Sequence, residues 1–234
     1  MRQMHEANRI RFRVSSLSGG CDRAIYCYAS GVPQEPFNEA TKQAFREGHE
    51  AEPKILKYVA EGLRDGPFVI AYSNGDIGTI QTPHAEIVGH VDGLGRSIKT
   101  NERYLFEVKN LAPTRISKLK AGGIRVAEPA YYTQIQVYMH GLLAKGWPYD
   151  KCIWAARNRK FRKDSDPKKY YIERVPYDEE EAVRCINKAE EIALAIMSKD
   201  IIEPPRNPFT EFFCQEGWCS FSKSCKGHWR GMYG

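Results

Sequence analysis

The sequence predicts a mixed α/β fold in which one central sheet is flanked by helices. Segments with helical spacing of apolar residues alternate with short apolar runs, and 234 residues suffice for one large domain with a sizeable core. Aromatic residues make up 12% of the chain and charged residues 27%, both ordinary values for a globular protein. We therefore expect one domain over 1–234, in which 204–234 form a cysteine-rich tail.

Three segments have helical patterns. Residues 39–64 carry apolar residues at helical spacing, although Pro53 should kink or restart that helix. Residues 129–145 are also predicted as helical. Residues 177–198 form an amphipathic pattern with an acidic first turn, which suits the helix dipole.

Five short segments are predicted as strands. The first is 67–72, which precedes the turn SNGDIG. The segments AEIVGHVDGLG and RYLFEVKN are expected to pair with each other, and KCIWAARN and KKYYIERVPY follow after the second helix. Helices on either side of these strands give the predicted α/β architecture.

The charge of the chain is compatible with a polyanionic partner but does not establish one. Net charge is +6, from 35 basic and 29 acidic residues. Arg9, Arg11 and Arg13 form either a solvated arm or a phosphate-contacting one. No apolar run is long enough for a bilayer, and no signal core follows the basic N-terminus, so we expect a cytoplasmic protein without a membrane partner.

Seven cysteines make metal ligation or burial more natural than disulfides, because the number is odd and no secretory context is present. Three of them, Cys214, Cys219 and Cys225, lie with His228 in the tail segment FFCQEGWCSFSKSCKGHW, after the proline-rich linker EPPRNPF. Three thiolates and one imidazole at such spacing are typical of a zinc finger.

Two short motifs, GHVDG and FEVKN, place reactive side chains on predicted strands. Residues two apart on a strand point to the same face, so His90 shares a face with Asp92, and Glu107 with Lys109. If the strands pair, one imidazole, two carboxylates and one ammonium group meet at a single place. Magnesium and manganese prefer oxygen ligands, and manganese tolerates imidazole best. An E-x-K pair alone is usually a surface ion pair, but the segment YLFEVKN is largely apolar.

The order of these motifs resembles the RecB-like branch of the PD-(D/E)XK nuclease superfamily. The pieces are G-H-x-D at 89–92, E-x-K at 107–109 and Q-x-x-x-Y at 134–138, and the resemblance covers roughly residues 15–228. Val91 stands where the family has proline, while the aspartate itself and the preceding histidine match. The resemblance implies a restriction-endonuclease-like core, with a mixed central sheet flanked by helices.

The resemblance also implies divalent-metal-dependent hydrolysis of a phosphodiester. His90, Asp92 and Glu107, together with the Val108 carbonyl, would hold Mg²⁺ or Mn²⁺. Lys109 would orient a metal-bound water or stabilise the developing phosphate charge.

Two helical motifs belong to the same resemblance. Gln134 and Tyr138 lie one turn apart on one helix face, although Gln136 competes for the glutamine position and Tyr138 could equally be a core aromatic. The segment REGHEAEPKI resembles the first-helix motif of phage-type exonucleases, which implies that Glu52 lies near the metals.

A basic segment follows the E-x-K strand. We expect it to form a loop, which either contacts the nucleic-acid backbone or is merely solvated. Its basic residues are Arg115, Lys118, Lys120 and Arg125.

One iron–sulfur subgroup of the RecB-like branch includes CRISPR-associated exonucleases and the AddB nuclease domain. It has one cysteine before the nuclease core and three after it. The segment SSLSGGCDRAIY resembles its entry motif, which implies that Cys21, Cys214, Cys219 and Cys225 hold a 4Fe–4S cluster. The gap between Cys214 and Cys219 is longer than usual, so the Zn²⁺ set with His228 stays as the alternative.

Either metal would tie the tail over 204–234 to the N-terminal segment around Cys21 and would stabilise the fold. Cys27 is expected to be a core residue or a substitute ligand.

The resemblance implies a divalent-metal-dependent deoxyribonuclease of a bacterial, archaeal or phage type. It would act as an exonuclease on single-stranded DNA or duplex ends, in recombination, replication or CRISPR-type processing with other DNA-processing proteins. The alternative is a nucleic-acid-binding or adaptor subunit on a nuclease fold, active only within a complex. The intact set of His90, Asp92, Glu107 and Lys109 argues against a pure binder.

Overall fold

The computed structural model has the predicted class of fold, a mixed α/β arrangement with sheets flanked by helices. It describes residues 9–63, 66–71, 75–77, 79–160, 169–203, 209–210, 214 and 219–233. The strands are β1 (Ile10–Arg13), β2 (Phe68–Ala71), β3 (Gly75–Asp76), β4 (Ile80–Gln81), β5 (Ala85–Val88), β6 (His90–Val91), β7 (Gly93–Ser97), β8 (Arg103–Leu111), β9 (Lys151–Asn158) and β10 (Tyr170–Pro176). The helices are α1 (Val14–Ser18), α2 (Asp22–Ala29), α3 (Glu39–Gly62), α4 (Pro113–Ala127), α5 (Pro129–Ala144), α6 (Glu179–Ser198) and α7 (Ser222–Tyr233). No helix within these residues is both long and apolar enough to cross a membrane.

The main sheet has five strands in the order β10-β9-β8-β7-β2, with β8 at its centre. The predicted pairing of GHVDG with FEVKN is present as the antiparallel pair β7–β8, which aligns Gly93 with Phe106. On its other side β8 runs parallel to β9, and helices α4 and α5 form the crossover between them. Strand β8 is therefore flanked on both sides.

The prediction of one central sheet is wrong, because the described strands form three sheets of five, three and two strands. The segment AEIVGHVDGLG is divided at Gly89 and Asp92 into β5, β6 and β7, each of which pairs with a different neighbour. Each break lets the chain change partners, so one predicted strand contributes to all three sheets.

The two faces of β8 belong to two different cores. Phe106 and Val108 pack against Ile55 and Val59 of α3. Leu105 points the other way and joins the larger core, which includes residues of α5 and α6. Because neighbouring residues alternate between faces, this arrangement turns Glu107 and Lys109 towards the α5 side.

Helix α3 is continuous from Glu39 to Gly62, so the predicted restart at Pro53 does not occur. Asn38 caps the helix, since its side chain accepts a hydrogen bond from the Thr41 amide at 2.8 Å. Beyond Pro53, the buried residues Ile55 and Val59 hold the helix against the main sheet. This packing compensates for the hydrogen bond that proline cannot donate.

The basic segment after β8 is a helix, α4, and the predicted loop is therefore wrong. Pro113 occupies the first turn, where its fixed φ favours helix and its missing N–H costs nothing. Near the end, Gly123 has φ 71°, which bends the chain before α5 begins. The basic side chains of α4 consequently project from a helix with a defined orientation.

The described part of the tail packs on the N-terminal region. Phe221 and Cys225 form a small buried cluster with Cys27 of α2. The Glu35 amide donates to the Ser220 carbonyl at 2.7 Å, and the Lys223 amide donates to the Glu35 carboxylate at 2.6 Å. The tail boundary at 204 stays a prediction, because 204–208 lie outside the described residues.

Candidate active site

Strand β8 positions the two central side chains of the site. Glu107 is only 2% exposed, because β7 and β9 flank its strand. Lys109 lies two residues further along the same face, and 20% of its side chain is exposed. A buried carboxylate therefore has an ammonium group next to it, at the border between the core and solvent.

Asp92 lies in the bend between β6 and β7, beside the first residue pair of the β7–β8 ladder. Its Oδ2 atom accepts a hydrogen bond from the Val108 amide at 2.8 Å and lies 3.9 Å from Lys109 Nζ. The main chain of β8 thus holds the Asp92 carboxylate next to the E-x-K motif.

Two side chains of α5 complete the surroundings of Glu107. Its Oε1 atom accepts hydrogen bonds from Lys109 Nζ and, at 3.1 Å, from Gln134 Nε2. Gln134 Nε2 also donates to the Tyr138 hydroxyl at 2.8 Å. The other carboxylate oxygen of Glu107, Oε2, is buried and has no hydrogen-bond partner among the residues that the structure describes. Such an orphaned acceptor is costly in a folded protein unless a ligand satisfies it.

Glu52 approaches the same carboxylates from α3. Burial and the charge of Asp92 raise its pKa, and the Glu52 charge in turn contributes to the raised pKa of Glu107. His49 Nδ1 lies 3.4 Å from Glu52 Oε1 on the exposed side of the helix. Three carboxylates therefore influence one another across the opening of the sheet.

Burial, followed by repulsion between the carboxylates, dominates the electrostatics of the site. Burial, together with the charge of Asp92, raises the pKa of Glu107 to about 8. Burial alone would lower the pKa of Lys109, but the charges of Glu107 and Asp92 outweigh it and raise that pKa. With Glu52, Asp92 and Glu107 ionised, one lysine leaves an excess of two negative charges, which a divalent cation would neutralise.

The donor set fits Mg²⁺ or Mn²⁺. Among the described residues, no three His, Cys, Asp or Glu side chains form a ready metal-binding group. Magnesium does not require one, since it commonly binds one or two carboxylates and fills its remaining positions with water and substrate phosphate oxygens. Asp92 and the unpartnered Oε2 of Glu107 match that requirement.

His90 lies on β6, two residues before Asp92, and its side chain is exposed. It lines a cavity of about 490 Å³ with Arg11, Arg13 and Ser15, and Tyr138 contributes to the same cavity. Among the described residues, His90, Asp92 and Glu107 do not form a ready metal-binding group, so the role of His90 as a ligand stays a prediction.

Gly89 of the GHVDG motif has a packing role that the sequence pattern did not reveal. A Cβ atom at this position would lie 2.5 Å from Cε1 of Tyr138. The Tyr138 ring occupies that space, and burial and the charge of Glu107 raise the pKa of its hydroxyl group. Gly89 therefore lets the ring, and through it Gln134, approach Glu107.

Gln136, the competing glutamine, instead contacts the main chain of Pro176 and Asp178.

Arg115 is held rigidly beside the site by residues that sequence reasoning missed. Its Nε atom donates to Glu128 Oε1 at 2.5 Å, and its Nη2 atom donates to Glu128 Oε2. Its guanidinium carbon lies 5.2 Å from the centre of the Tyr131 ring, and Lys109 Nζ lies 5.3 Å from the same centre. The sequence signal for Tyr131 was its position three residues before Gln134, on the same side of α5.

The other basic residues of α4 do not reach this place. Lys118 and Lys120 are exposed, and they line neither the 490 Å³ cavity nor the larger cavity beside the reactive cluster. Arg125 lies 3.5 Å from Asp178 and over the ring of Tyr132. Of the predicted basic set, Arg115 alone borders the reactive cluster.

A cavity of about 680 Å³ opens between the first half of α3 and the end of β8. Glu52 and Lys109 contribute to its wall, as do Arg115 and Tyr131. Gly48 and Phe45, one and two turns before Glu52, form the α3 side. The reactive cluster is therefore open to a ligand of substantial size.

The cysteines meet in a different arrangement from the predicted one. The Cys225 thiol donates a hydrogen bond to Cys27, which lowers the pKa of Cys27. Cys21 and Cys219 both interact electrostatically with Cys27, and Cys219 also interacts with Cys21 and Cys225. Cys214 contacts Ser222 through its carbonyl oxygen, at 2.7 Å from the hydroxyl group. As placed, the predicted set of four cysteines does not fit a metal group among the described residues.

His228, the alternative zinc ligand, lies on α7, and its Nε2 atom is buried without a hydrogen-bond partner.

We predict that the stability of the metal-free protein falls as pH rises from about 4.5 to about 8. A carboxyl group whose folded pKa is raised binds its proton more tightly in the folded state, so it contributes stability below its ordinary pKa of 4.5 and loses that contribution through about 8. Denaturant unfolding with EDTA across this range measures the effect.

Glu107→Gln should flatten this pH dependence, because it removes the titrating group. The matched control is Glu102→Gln, since Glu102 is an exposed carboxylate whose hydrogen bonds from Lys151 and Tyr104 lower its pKa to about 2. That variant should leave the dependence between pH 4.5 and 8 unchanged. A Glu107→Gln protein with the wild-type pH dependence would show that Glu107 is not the group responsible.

No protein-family model matches the chain, and no curated protein matches it. Several solved structures match the chain. The alkaline exonuclease LHK-Exo from Laribacter hongkongensis superimposes with a TM-score of 0.55 at 18% identity, over 83% of this chain and 92% of that one. Its complex with dAMP matches with the same TM-score and identity, over 80% and 88%.

A phage-related exonuclease from Haemophilus somnus 129PT matches over 84% of this chain and 99% of that chain, with 14% identity and a TM-score of 0.49. The similarity to LHK-Exo shows that this chain has the fold of an alkaline exonuclease.

Proposed function

We propose that the protein is a divalent-metal-dependent deoxyribonuclease that hydrolyses phosphodiester bonds as an exonuclease. The observation that carries the proposal is the buried Glu107 carboxylate, whose Oε2 atom has no partner while Asp92 and Lys109 lie beside it. The unpartnered oxygen and the neighbouring Asp92 carboxylate can bind a cation, and the open cavity next to them can admit the end of a polymer.

Asp92 and Glu107 would hold the metal, with the Val108 carbonyl as a main-chain donor and Glu52 as a further carboxylate on the α3 side. A bound Mg²⁺ or Mn²⁺ supplies Lewis acidity, which generates a nucleophilic hydroxide from water at neutral pH. The protein's own part is to hold two carboxylates within reach of one another and of a single lysine. His90 of the same GHVDG motif is proposed as a further ligand.

Lys109 supplies a fixed positive charge. Its raised pKa keeps the ammonium group protonated throughout the physiological range. Because Glu107 and Asp92 hold it on the open side of the sheet, the charge can stabilise the phosphate oxygens in the transition state without reorganisation.

Gln134 and Tyr138 act as positioning residues. Gln134 donates to Glu107 Oε1 and Tyr138 accepts from Gln134, so the pair fixes which carboxylate oxygen stays free. Their effect on the reaction would be transmitted through Glu107.

DNA is the proposed substrate, as either single strands or duplex ends. The similarity to LHK-Exo supports it, because that protein is an alkaline exonuclease crystallised with dAMP. The net charge of +6 and the fixed guanidinium of Arg115 also suit a polyanion. Recombination, replication or CRISPR-type processing with other DNA-processing proteins is the proposed setting.

The alternative is a nucleic-acid-binding or adaptor subunit on the same fold. A binder gains nothing from a buried carboxylate with an orphaned oxygen, and the arrangement lowers its stability. The Glu107 site therefore favours the enzyme.

We predict that Asp92→Ala, Glu107→Ala and Lys109→Ala each abolish Mn²⁺-dependent cleavage of labelled DNA. Each substitution removes a proposed metal ligand or the lysine that contacts those ligands. Products should be resolved by length, with EDTA as the metal control, and Glu102→Ala as the carboxylate control. Robust cleavage by purified Asp92→Ala or Lys109→Ala protein would overturn the assignment.

Arg115→Gln should weaken DNA binding about tenfold, because a charge held by Glu128 and Tyr131 is lost from the cavity wall. Arg125→Gln is the matched control on the same helix, since Arg125 faces Asp178 and is 70% exposed. Binding is measured by fluorescence anisotropy at two salt concentrations, and Arg115→Gln should also reduce the salt dependence. Equal losses for both variants would indicate a general charge effect.

We propose that the cysteines at the contact between α2 and α7 bind a metal, as a 4Fe–4S cluster or, in the alternative, as Zn²⁺. Its support is that Cys21, Cys219 and Cys225 approach one another from opposite ends of the chain. The placement of Cys27 in contact with Cys225 departs from the expected set, so no chemical step is assigned to this metal.

Anaerobic purification followed by metal analysis tests this assignment. A 4Fe–4S cluster predicts about four irons per chain and broad visible absorption that is lost on reduction. A colourless protein with one zinc would instead support the His228 set, and a metal-free, stably folded protein would show that the thiols are core residues.

A further inference from the structure

Gly48 is placed in the middle of helix α3 without any structural need for a glycine. It lies within the continuous helix Glu39–Gly62, and a Cβ atom added there would meet no atom of the described residues within 4 Å. Glycine in a helix interior costs about 1 kcal/mol relative to alanine. The missing side chain instead keeps the α3 wall of the 680 Å³ cavity flat.

Phe45 lies next to this flat area, one turn earlier on the same cavity wall. Its side chain is 52% exposed, which is unusual for a phenylalanine in the wall of a cavity. Phe37 packs edge-on against it, with ring centres 5.4 Å apart and planes at 90°. The edge contact orients the Phe45 ring and leaves its apolar surface accessible.

The opposite wall is cationic. Lys109, Arg115 and Arg159 line the cavity there, together with the apolar Leu111 and Ala112. One wall therefore suits phosphate, and the other suits a flat apolar ring. A nucleotide carries both groups.

Spacing along α3 connects the two walls to the reaction. Phe45 precedes Glu52 by seven residues, which is close to two full turns, so both lie on one side of the helix about 10 Å apart. Gly48 lies between them. A strand whose phosphate is held at Asp92 and Glu107 would cross Gly48 before its base reaches Phe45.

We propose that this cavity seats an unpaired nucleotide of the DNA strand next to the scissile phosphate. Its sugar crosses Gly48, and its base stacks on Phe45. The inference rests on the proposed nuclease function and specifies its substrate, a single-stranded end, because a base inside a duplex has both faces covered by its stacked neighbours, whereas an unpaired base can turn one face to the ring.

Substitutions of Phe45 and Gly48, each with a matched control, test the proposal. Phe45→Ala should weaken binding of single-stranded DNA about tenfold, because base stacking on an aromatic ring is lost. Trp147→Ala is its control, since Trp147 is a similarly exposed aromatic residue (45%) that lines neither cavity. Gly48→Leu should block the strand, and Gly231→Leu is its control, because Gly231 is also a helical glycine with nothing within 4 Å.

Binding is measured by anisotropy in EDTA and cleavage with Mn²⁺, on strands that carry one abasic position scanned from the end. At one position, removal of the base should weaken binding to the wild-type protein about tenfold. The same removal should not change binding to the Phe45→Ala protein, because the ring on which the base stacks is already absent. Gly48→Ala should raise the melting temperature by about 2–4 °C while weakening binding, which separates a site role from a structural one.

The inference is overturned if Phe45→Ala and Gly48→Leu bind and cleave like their controls, or if no abasic position is sensitive. If Gly48→Leu does not fold, the Phe45 and abasic comparisons decide alone. Binding that shows the predicted pattern without metal-dependent cleavage would reject the nuclease function while retaining the nucleotide seat. Metal-dependent cleavage without the pattern would reject only the seat.

Discussion

A carboxylate buried in the middle of a sheet is the constraint on which the rest of the site depends. Glu107 is covered by β7 and β9 on either side and by α5 on its face, so its charge has little access to water. Burial of a charge is tolerated only when other groups compensate for it. Lys109 and Gln134 do so at one oxygen, and the second oxygen is left available. The hydrogen bonds thus define where a ligand can act.

Alternation along β8 separates chemistry from packing. Tyr104, Phe106 and Val108 face the α3 core, while Glu107 and Lys109 face α5. A shift of one residue in the β7–β8 register would turn both charged groups towards α3 and the aromatic residues towards α5. The apolar packing of α3 is consequently what keeps the reactive groups on their side.

Period-two alternation made the centre of the site predictable from sequence, because it is a local rule that β8 obeys where Tyr104, Phe106 and Val108 join one core and Leu105 joins the other. The bend at Asp92 divides the GHVDG segment into strands of two different sheets, so the same rule does not extend from β7 back to His90. The clamp on Arg115 was not predictable, because Glu128 lies thirteen residues away and meets it only after Gly123 turns the chain between α4 and α5. The contact of Cys27 with Cys225 depends on how α2 and α7 pack, and the spacing of cysteines along the chain does not predict the packing of two helices so distant in sequence.

The hydrogen bond from the Val108 amide to Asp92 has a consequence for how the site can change over evolutionary time. Its donor is part of the main chain, so every residue type except proline at this position preserves it. Drift in the side chain at 108 therefore leaves the Asp92 carboxylate anchored. On the β8 side the anchor belongs to the sheet itself, so the position of the Asp92 carboxylate depends on the fold and not on a second side chain.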